Sequence, residues 1–362
     1  MKSILIVDDE ESARLALSKA ISFLGFKACA VDNGNEAVQL AKDNAFDVIL
    51  LDVDIAGISG IETLKQIRSD GKSSKSPVIM ITTYNHLDSV GEALRQGASD
   101  YMVKPFNLAM IFDRVLKWIS VNVEIRWKEL KPEQENLLMM TSRTLDNAFH
   151  QVRTKGELPF EKMQETAGLI ITVIENKNIT GVLDAVKDHD NYTFVHSLRV
   201  GIYLSLFGQA LAGFARDDLI VIATGGITHD IGKAKTPLNI LNKPAKLNDR
   251  EMKIMMEHVS HTYDILKNTP GVPAPVVDIG WLHHERMDGS GYPRGLKRSG
   301  ANILGRMAAI VDVYVALTDN RVYRQSCAPE KAFEVMEDLP RLFDCDLLKD
   351  FKEAMLDSLA NI

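Results

Sequence analysis

The chain has 362 residues, 46% of them hydrophobic, with 49 acidic against 42 basic side chains and a formal net charge of −7. That length suits two domains, each able to bury a core, and the acidic balance argues against a general nucleic-acid or membrane-surface binder while leaving room for a small anion on a local basic patch. Cys29, Cys327 and Cys345 show no disulfide spacing and fit a reducing cytoplasm. The chain opens on a strand-like run, Ile4 to Val7, and no apolar run reaches ~18 residues, so neither a signal peptide nor a membrane span is expected.

Residues 1–120 alternate short apolar runs with amphipathic stretches. SILIVDDE, FKACAVD, FDVILLDVD, PVIMITTYN and DYMVKPF read as buried parallel strands. ESARLALSKAISFLG and NEAVQLAKD read as helices between them. Five β-α repeats imply an α/β domain with a doubly wound, flavodoxin-like parallel sheet, whose functional residues lie at the carboxyl ends of the strands. Asp8, Asp9, Asp52, Thr82 and Lys104 all fall at those ends. A lone aspartate there is ordinarily a turn or helix cap, but five residues in register with the strand ends form a constellation. Asp8 and Asp9 suit Mg²⁺, Asp52 a phosphoryl acceptor, and Thr82 and Lys104 contacts to the phosphoryl oxygens. The set resembles the receiver domain of two-component response regulators across the whole segment. The resemblance implies a cognate histidine kinase, a cis bond at Lys104-Pro105 and a switch role for Tyr101. Thr83 stands where that family often has a smaller residue, which bears on water access to the acyl phosphate.

Residues 121–156 read as a helical connector. The chain is helical from Asp113 to Lys131, Pro132 ends or kinks it, and a second helix follows from Glu133 to about Thr154. Val115, Trp118 and Ile125, with Asn122 at a core position, make a short heptad seam compatible with a homodimer. The same residues equally suit a last receiver helix packed on its own sheet.

Residues 157–362 show helical patterns and no convincing strand, which predicts an all-α domain. Seven residues of metal-ligand type are spread through it: His196, the pair His229-Asp230, His258, the pair His283-His284, and Asp312. Imidazoles and carboxylates together are a transition-metal ligand set, and seven exceed the four of a structural zinc. Adjacent residues on a helix do not face each other. Each pair therefore either serves two metals or sits where a helix ends, and the number points to two metals.

THDIGK, residues 228–233, resembles the HD phosphohydrolase superfamily, and HHERMDGSGYPRGL, residues 283–296, narrows this to the HD-GYP cyclic di-GMP phosphodiesterases. The resemblance covers roughly residues 160–340. It implies one metal on His196, His229, Asp230 and Asp312, and a second on His258, His283 and His284, with Asp230 bridging and iron or manganese expected. Some members carry a third metal. Glu161 and Glu165 lie about where its ligands fall, although a solvated acidic face is the favoured reading for them.

Metals suit this chemistry, since they acidify bound water and stabilise both oxygens of an in-line displacement on phosphorus. Lys233 is placed to neutralise phosphoryl charge or protonate the leaving oxygen, the first role being favoured. Asp288 is expected to orient a ligand histidine or a water. Gly289 and Gly291 permit close backbone approach, Tyr292 offers a face to a guanine, Pro293 stiffens the turn, and Arg294, Lys297 and Arg298 form a basic cluster. As departures, Arg298, Asn302, Val315 and Val322 stand where the family commonly has glycine, proline, an acidic residue and proline. His86, His150 and His189 are read as loop or connector histidines, His261 as a helix-face residue, and Met252, Met255 and Met256 as core filling.

The expected function is a phosphorylation-regulated phosphodiesterase linearising cyclic di-GMP to pGpG and continuing to GMP. The alternatives are another cyclic dinucleotide such as cyclic GMP-AMP, and a binding module that senses cyclic di-GMP or docks a diguanylate cyclase. No helix-turn-helix with a basic recognition face is found, so DNA binding is not expected.

Overall fold

The computed structural model describes residues 2–83, 87–187, 189, 191–211, 213–241, 243, 246–297, 300–319 and 327–360. They fall into two compact units, divided between Arg126 and Trp127. His86, Arg298 and Val322 lie outside the described residues.

In the first unit, β1 (Ser3–Val7), α1 (Glu11–Phe23), β2 (Lys27–Val31), α2 (Gly34–Asp43), β3 (Val48–Asp52), α3 (Gly60–Ser69), β4 (Val78–Thr82), α4 (Leu87–Arg95), β5 (Asp100–Val103) and α5 (Leu108–Arg126) alternate along the chain. The strands are all parallel, in the order β2-β1-β3-β4-β5. This is the expected doubly wound sheet, and its order reverses between β1 and β3, where such sheets bind ligands. β3 and β4 are buried at every residue, because helices cover both faces. Leu17, Ile21, Val115 and Ile119 pack on one side and Ala37, Ala41, Leu64 and Ile67 on the other. Val115 therefore serves the sheet's own core, while Ile125 is exposed.

Residues 121–156 are shared between the units. α5 carries the first unit to Arg126, and Trp127 is buried in the second, where its Nε1–H donates to Ala185 O at 3.3 Å. Pro132 opens α6 (Pro132–Thr154) rather than breaking a helix, since the missing N–H of a first-turn proline has no intrahelical role. Leu137, Leu138, Leu145, Ala148 and Val152 bury the inner face of α6.

The remaining helices are α7 (Phe160–Glu175), α8 (Ile179–Ala185), α9 (Tyr192–Ala210), α10 (Arg216–Thr228), α11 (Leu238–Leu241), α12 (Asp249–Met256), α13 (His258–Asn268), α14 (Ala274–Leu282), α15 (Ile303–Thr318), α16 (Pro329–Glu337) and α17 (Cys345–Ala360). α9 runs through the middle of the bundle, against α6, α7, α10, α15 and α17. It crosses α10 where two glycines meet: a Cβ on Gly226 would lie 2.6 Å from Gly201 Cα. That close approach sets the spacing of the two helices that deliver His196 and His229. Tyr203, Phe207, Met307, Val311, Tyr314, Phe333 and Phe351 fill the core beside them, each such fully buried side chain contributing on the order of 1.5–3 kcal/mol. Val315 belongs to this core. Asn302 caps α15, its Oδ1 accepting from Gly305 N at 2.9 Å.

Candidate metal centre and phosphorylation site

At the carboxyl edge of the sheet, Lys104 Nζ lies 2.8 Å from Asp8 Oδ2 and 2.5 Å from Asp52 Oδ2. Asp8, Asp52 and Thr82 are buried, Asp9 and Tyr101 exposed. The loop N–H groups of Glu10 and Asp54 donate to Asp8 Oδ1 at 3.0 Å and Asp52 Oδ1 at 3.1 Å. Burial pushes the Asp52 carboxyl above its ordinary value, against the pull of Lys104. Three carboxylates with one ammonium leave negative charge for a hard cation, which fits Mg²⁺. The Lys104-Pro105 bond is cis.

In the second unit three histidines share one construction. α10 ends at Thr228, and His229 Nδ1 lies 2.7 Å from Gly226 O. α12 ends at Met256, and His258 Nδ1 lies 2.7 Å from Met255 O. α14 ends at Leu282, and His283 Nδ1 lies 3.0 Å from Gly280 O. The last carbonyls of a helix lack intrahelical partners, so each ring meets an acceptor three residues back. A carbonyl can only accept, so Nδ1 carries the proton and Nε2 keeps its lone pair. The helical stretch over residues 249–268 breaks at Glu257 into α12 and α13. The break puts His258 just past a helix end like the other two.

Asp230 stands between two groups of rings. Its Oδ2 is 3.4 Å from His229 Nε2 and 3.7 Å from His196 Nε2. Its Oδ1 is 3.1 Å from His258 Nε2 and 3.8 Å from His283 Nε2. Asp312, from α15, places Oδ1 3.1 Å from His196 Nε2 and Oδ2 3.5 Å from His284 Nδ1. Candidate ligand atoms of His196, His229 and Asp230 all lie within 4.8 Å of one another, as do those of His258, His283 and His284.

Asp230 is only 2% exposed. Burial opposes its ionisation, but Lys233 and His229 hold the carboxyl well below the usual range. Burial likewise opposes Asp312, which His196 and His284 hold down. Lys233, in the 3-10 turn Ile231–Lys235, is ion-paired with Asp230 Oδ2. Burial also pushes His283 far down and His284 to about 3, so both rings are neutral donors. His229 Nε2, His258 Nε2, His283 Nε2 and Asp230 Oδ1 are buried without a hydrogen-bond partner among the described residues. Four orphaned acceptors at one point are costly unless a cation takes their lone pairs. Imidazole and carboxylate donors suit divalent transition metals, and the residues fit such a group.

The GYP loop is folded onto the turn that carries His283 and His284. A Cβ on Gly291 would lie 2.4 Å from Arg286 N and 2.5 Å from His284 O, so the absent side chain serves the chain's own packing. Tyr292 N donates to His284 O at 3.1 Å, and its ring lies 4.7 Å from that of His284. Burial raises the Tyr292 phenol, with Asp312 and Asp230 adding to the shift. The Tyr292-Pro293 bond is cis, and Arg294 and Lys297 are exposed.

Several expectations are corrected. Asp288 is exposed and accepts from Ser290 N at 2.9 Å, within its own turn. The buried acid of the loop is Glu285, whose Oε1 and Oε2 accept from Arg294 N at 2.8 Å and Leu296 N at 2.7 Å. Glu161 and Glu165 are exposed on α7, with Glu165 paired to Lys162 at 2.7 Å, in keeping with the solvated acidic face favoured for them, and neither joins a ligand group among the described residues. His189 is buried, stacked on Trp127 at 5.4 Å and set edge-on to Phe194 at 4.9 Å. Met252 is exposed, Met255 and Met256 are half-buried, and none of the α12 residues is fully buried.

Comparison with known proteins gives a match to the response regulator receiver domain over residues 4–116 and to the HD domain over residues 185–347. A protein of Thermotoga maritima named cyclic di-GMP phosphodiesterase is 28% identical, across 96% of this chain and 89% of that one. The cyclic di-GMP phosphodiesterase response regulator RpfG of Xanthomonas campestris pv. campestris is 27% identical, across 94% and 85%. The 3'3'-cGAMP-specific phosphodiesterase 1 of Vibrio cholerae is 33% identical over half of this chain and 38% of its own length. The chain thus carries a response regulator receiver domain followed by an HD domain, and the two matches enclose the two candidate sites.

Proposed function

We propose that this protein hydrolyses cyclic di-GMP to pGpG and then to GMP, under control of phosphorylation at Asp52. The observation that carries the reading is Asp230, whose two oxygens face two separate histidine groups. The proposed centre is a pair of divalent ions, Fe²⁺ or Mn²⁺. His196, His229, Asp230 and Asp312 would hold one and His258, His283 and His284 the other, with Asp230 shared. When bound, the pair supplies Lewis acidity toward the phosphoryl oxygens and acidifies water enough to attack near neutral pH.

The chain's own residues do the rest. Lys233, ion-paired with Asp230, sets a positive charge beside the phosphoryl group as negative charge grows on it. Gly291, Tyr292 and Pro293 form one wall of the site, with Tyr292 presenting a ring to a guanine. Arg294 and Lys297 are exposed cations for the nucleotide's phosphates. In the receiver, Asp8 and Asp9 would hold Mg²⁺, and Asp52 is the residue a histidine kinase phosphorylates. Thr82 and Lys104 then contact the phosphoryl oxygens and Tyr101 responds. The proposed assembly is a homodimer, with diguanylate cyclases as further partners, both resting on the family resemblance.

The test is turnover of cyclic di-GMP by purified protein loaded with Fe²⁺ or Mn²⁺, with and without beryllofluoride. The similarity to cGAMP-specific enzymes makes 3'3'-cGAMP the competitor to include in the same assay. His229→Ala with Asp230→Ala is expected to abolish turnover while the helical circular dichroism is retained. No turnover of either nucleotide would reduce the protein to a sensing module.

A further inference from the structure

His196 differs from the other three buried histidines of the centre. It lies inside α9 rather than past a helix end, so the nearby backbone carbonyls already serve the helix. Its Nδ1 is met instead by side chains, Asp319 Oδ2 at 3.3 Å and Tyr192 OH at 3.3 Å. Asp319 is seven residues after Asp312, which meets the opposite edge of the same ring at 3.1 Å. One imidazole is thus clamped between two carboxylates from the α15 segment.

Asp319 is 4% exposed, and a buried carboxylate needs a counter-charge. Arg199 supplies it from α9, one turn after His196, through an ion pair with Asp319 Oδ1. Arg199 is fixed in turn by Thr318 Oγ1 at 3.0 Å and by the Tyr203 ring, whose centroid lies 5.5 Å from the guanidinium carbon.

We infer that Asp319, braced by Arg199, is a positioning residue for the metal ion bound through His196. A carboxylate can only accept, so Asp319 holds the proton on Nδ1 and turns the Nε2 lone pair into the centre. Its charge also makes that ring a stronger donor than its carbonyl-bonded neighbours. Among the described residues the Nδ1 atoms of His258 and His283 meet backbone carbonyls instead, so the effect is confined to one of the two ions. The inference rests on the two-metal reading above.

The experiment is a Co²⁺ titration of the metal-free full-length protein, followed by visible absorption, with thermal unfolding of each metal-free variant as a control on the fold. Wild type is expected to show two binding events. Asp319→Ala should weaken one of them by about 10–100-fold, the usual cost of losing such an outer partner. That event should be the one His196→Ala abolishes, and the other should be unchanged. Asp319→Asn keeps the shape and an acceptor but not the charge, and is expected to fall between the two. Equal affinities in wild type and both Asp319 variants overturn the inference. So does a parallel loss of both events, which would mark Asp319 as merely structural. A wild-type protein that takes up no Co²⁺ overturns the two-metal reading first, and this inference with it.

Discussion

The clearest test of how the substrate loop is held is Glu285→Gln. The Glu285 carboxylate is buried and accepts two backbone N–H groups, Arg294 N at 2.8 Å and Leu296 N at 2.7 Å. A hydrogen bond to a charged acceptor contributes about 1.5–3 kcal/mol, and a buried donor left unpaired costs about 1–3 kcal/mol. Glutamine keeps one acceptor oxygen and turns an NH₂ group toward the second N–H, so one bond is lost and a donor faces a donor. Allowing for relaxation, the docked loop should weaken by about 2–4 kcal/mol. If that loss is felt globally, a unit of this size should melt about 4–16 °C lower. If the loop lifts locally, the change moves into kinetics, and kcat/KM should fall by about 30–700-fold at ~1.4 kcal/mol per decade. Metal content should stay at the wild-type value, since Glu285 contacts none of the proposed ligand atoms in the structure. The assays are calorimetric melting, elemental analysis and steady-state hydrolysis. Wild-type melting together with wild-type kcat/KM would refute the reasoning.

Other outcomes follow from the same geometry. Gly291→Ala should lower kcat/KM with metal retained, because the new Cβ meets only backbone, at 2.4–2.6 Å, and overpacking of this kind costs about 1–3 kcal/mol; unaltered kinetics would count against it. Asp230→Asn should reduce bound metal from two ions toward none, measured by elemental analysis, since each Asp230 oxygen faces a different histidine group. In the receiver, burial opposes ionisation of Asp100, yet Trp118, Arg114 and the Tyr101 N–H hold its carboxyl below its ordinary 3.8. A depressed acid stabilises the fold above its unfolded pKa, and that stability is lost as pH falls through the folded value. Asp100→Asn should therefore unfold at lower denaturant than wild type at pH 7, with the difference closing below about pH 4; a gap that persists there would exclude a charge effect.

Much of this was legible because it depends on residue type and order. The five strands show as apolar runs, and the candidate acceptor site follows from where those runs end. The candidate metal residues announce themselves because buried histidine and aspartate have few other uses together. What was not legible depends on which groups meet across the fold. HHERMDG contains two acids, and only the turn after Leu282 decides that Glu285 faces inward while Asp288 faces water. His189 is buried because Trp127, 62 residues away, supplies a ring for it. Asp319 lies in an unremarkable helix end, and its role needs α9 and α15 to be packed together first. The break at Glu257 is invisible to periodicity, since apolar and polar residues continue through it as a single helix would.

Helix ends likewise account for the adjacent pairs. His229 and His283 each occupy the residue after a helix ends, and Asp230 and His284 follow where the backbone has begun to turn. Neighbours that would point about 100° apart on a helix can then both address one centre. The same position gives each leading histidine a carbonyl for Nδ1, so tautomer and ring direction are fixed without any further side chain. Helix carboxyl ends carry partial negative charge, and α10 and α14 bring theirs to this point. Cation binding is thereby favoured by backbone as well as by carboxylates. A ligand inside a helix has none of this support, and His196 is the one buried histidine of the centre placed there. Its need for Asp319 and Arg199 is the consequence of that position, not an elaboration of a site that would be complete without them.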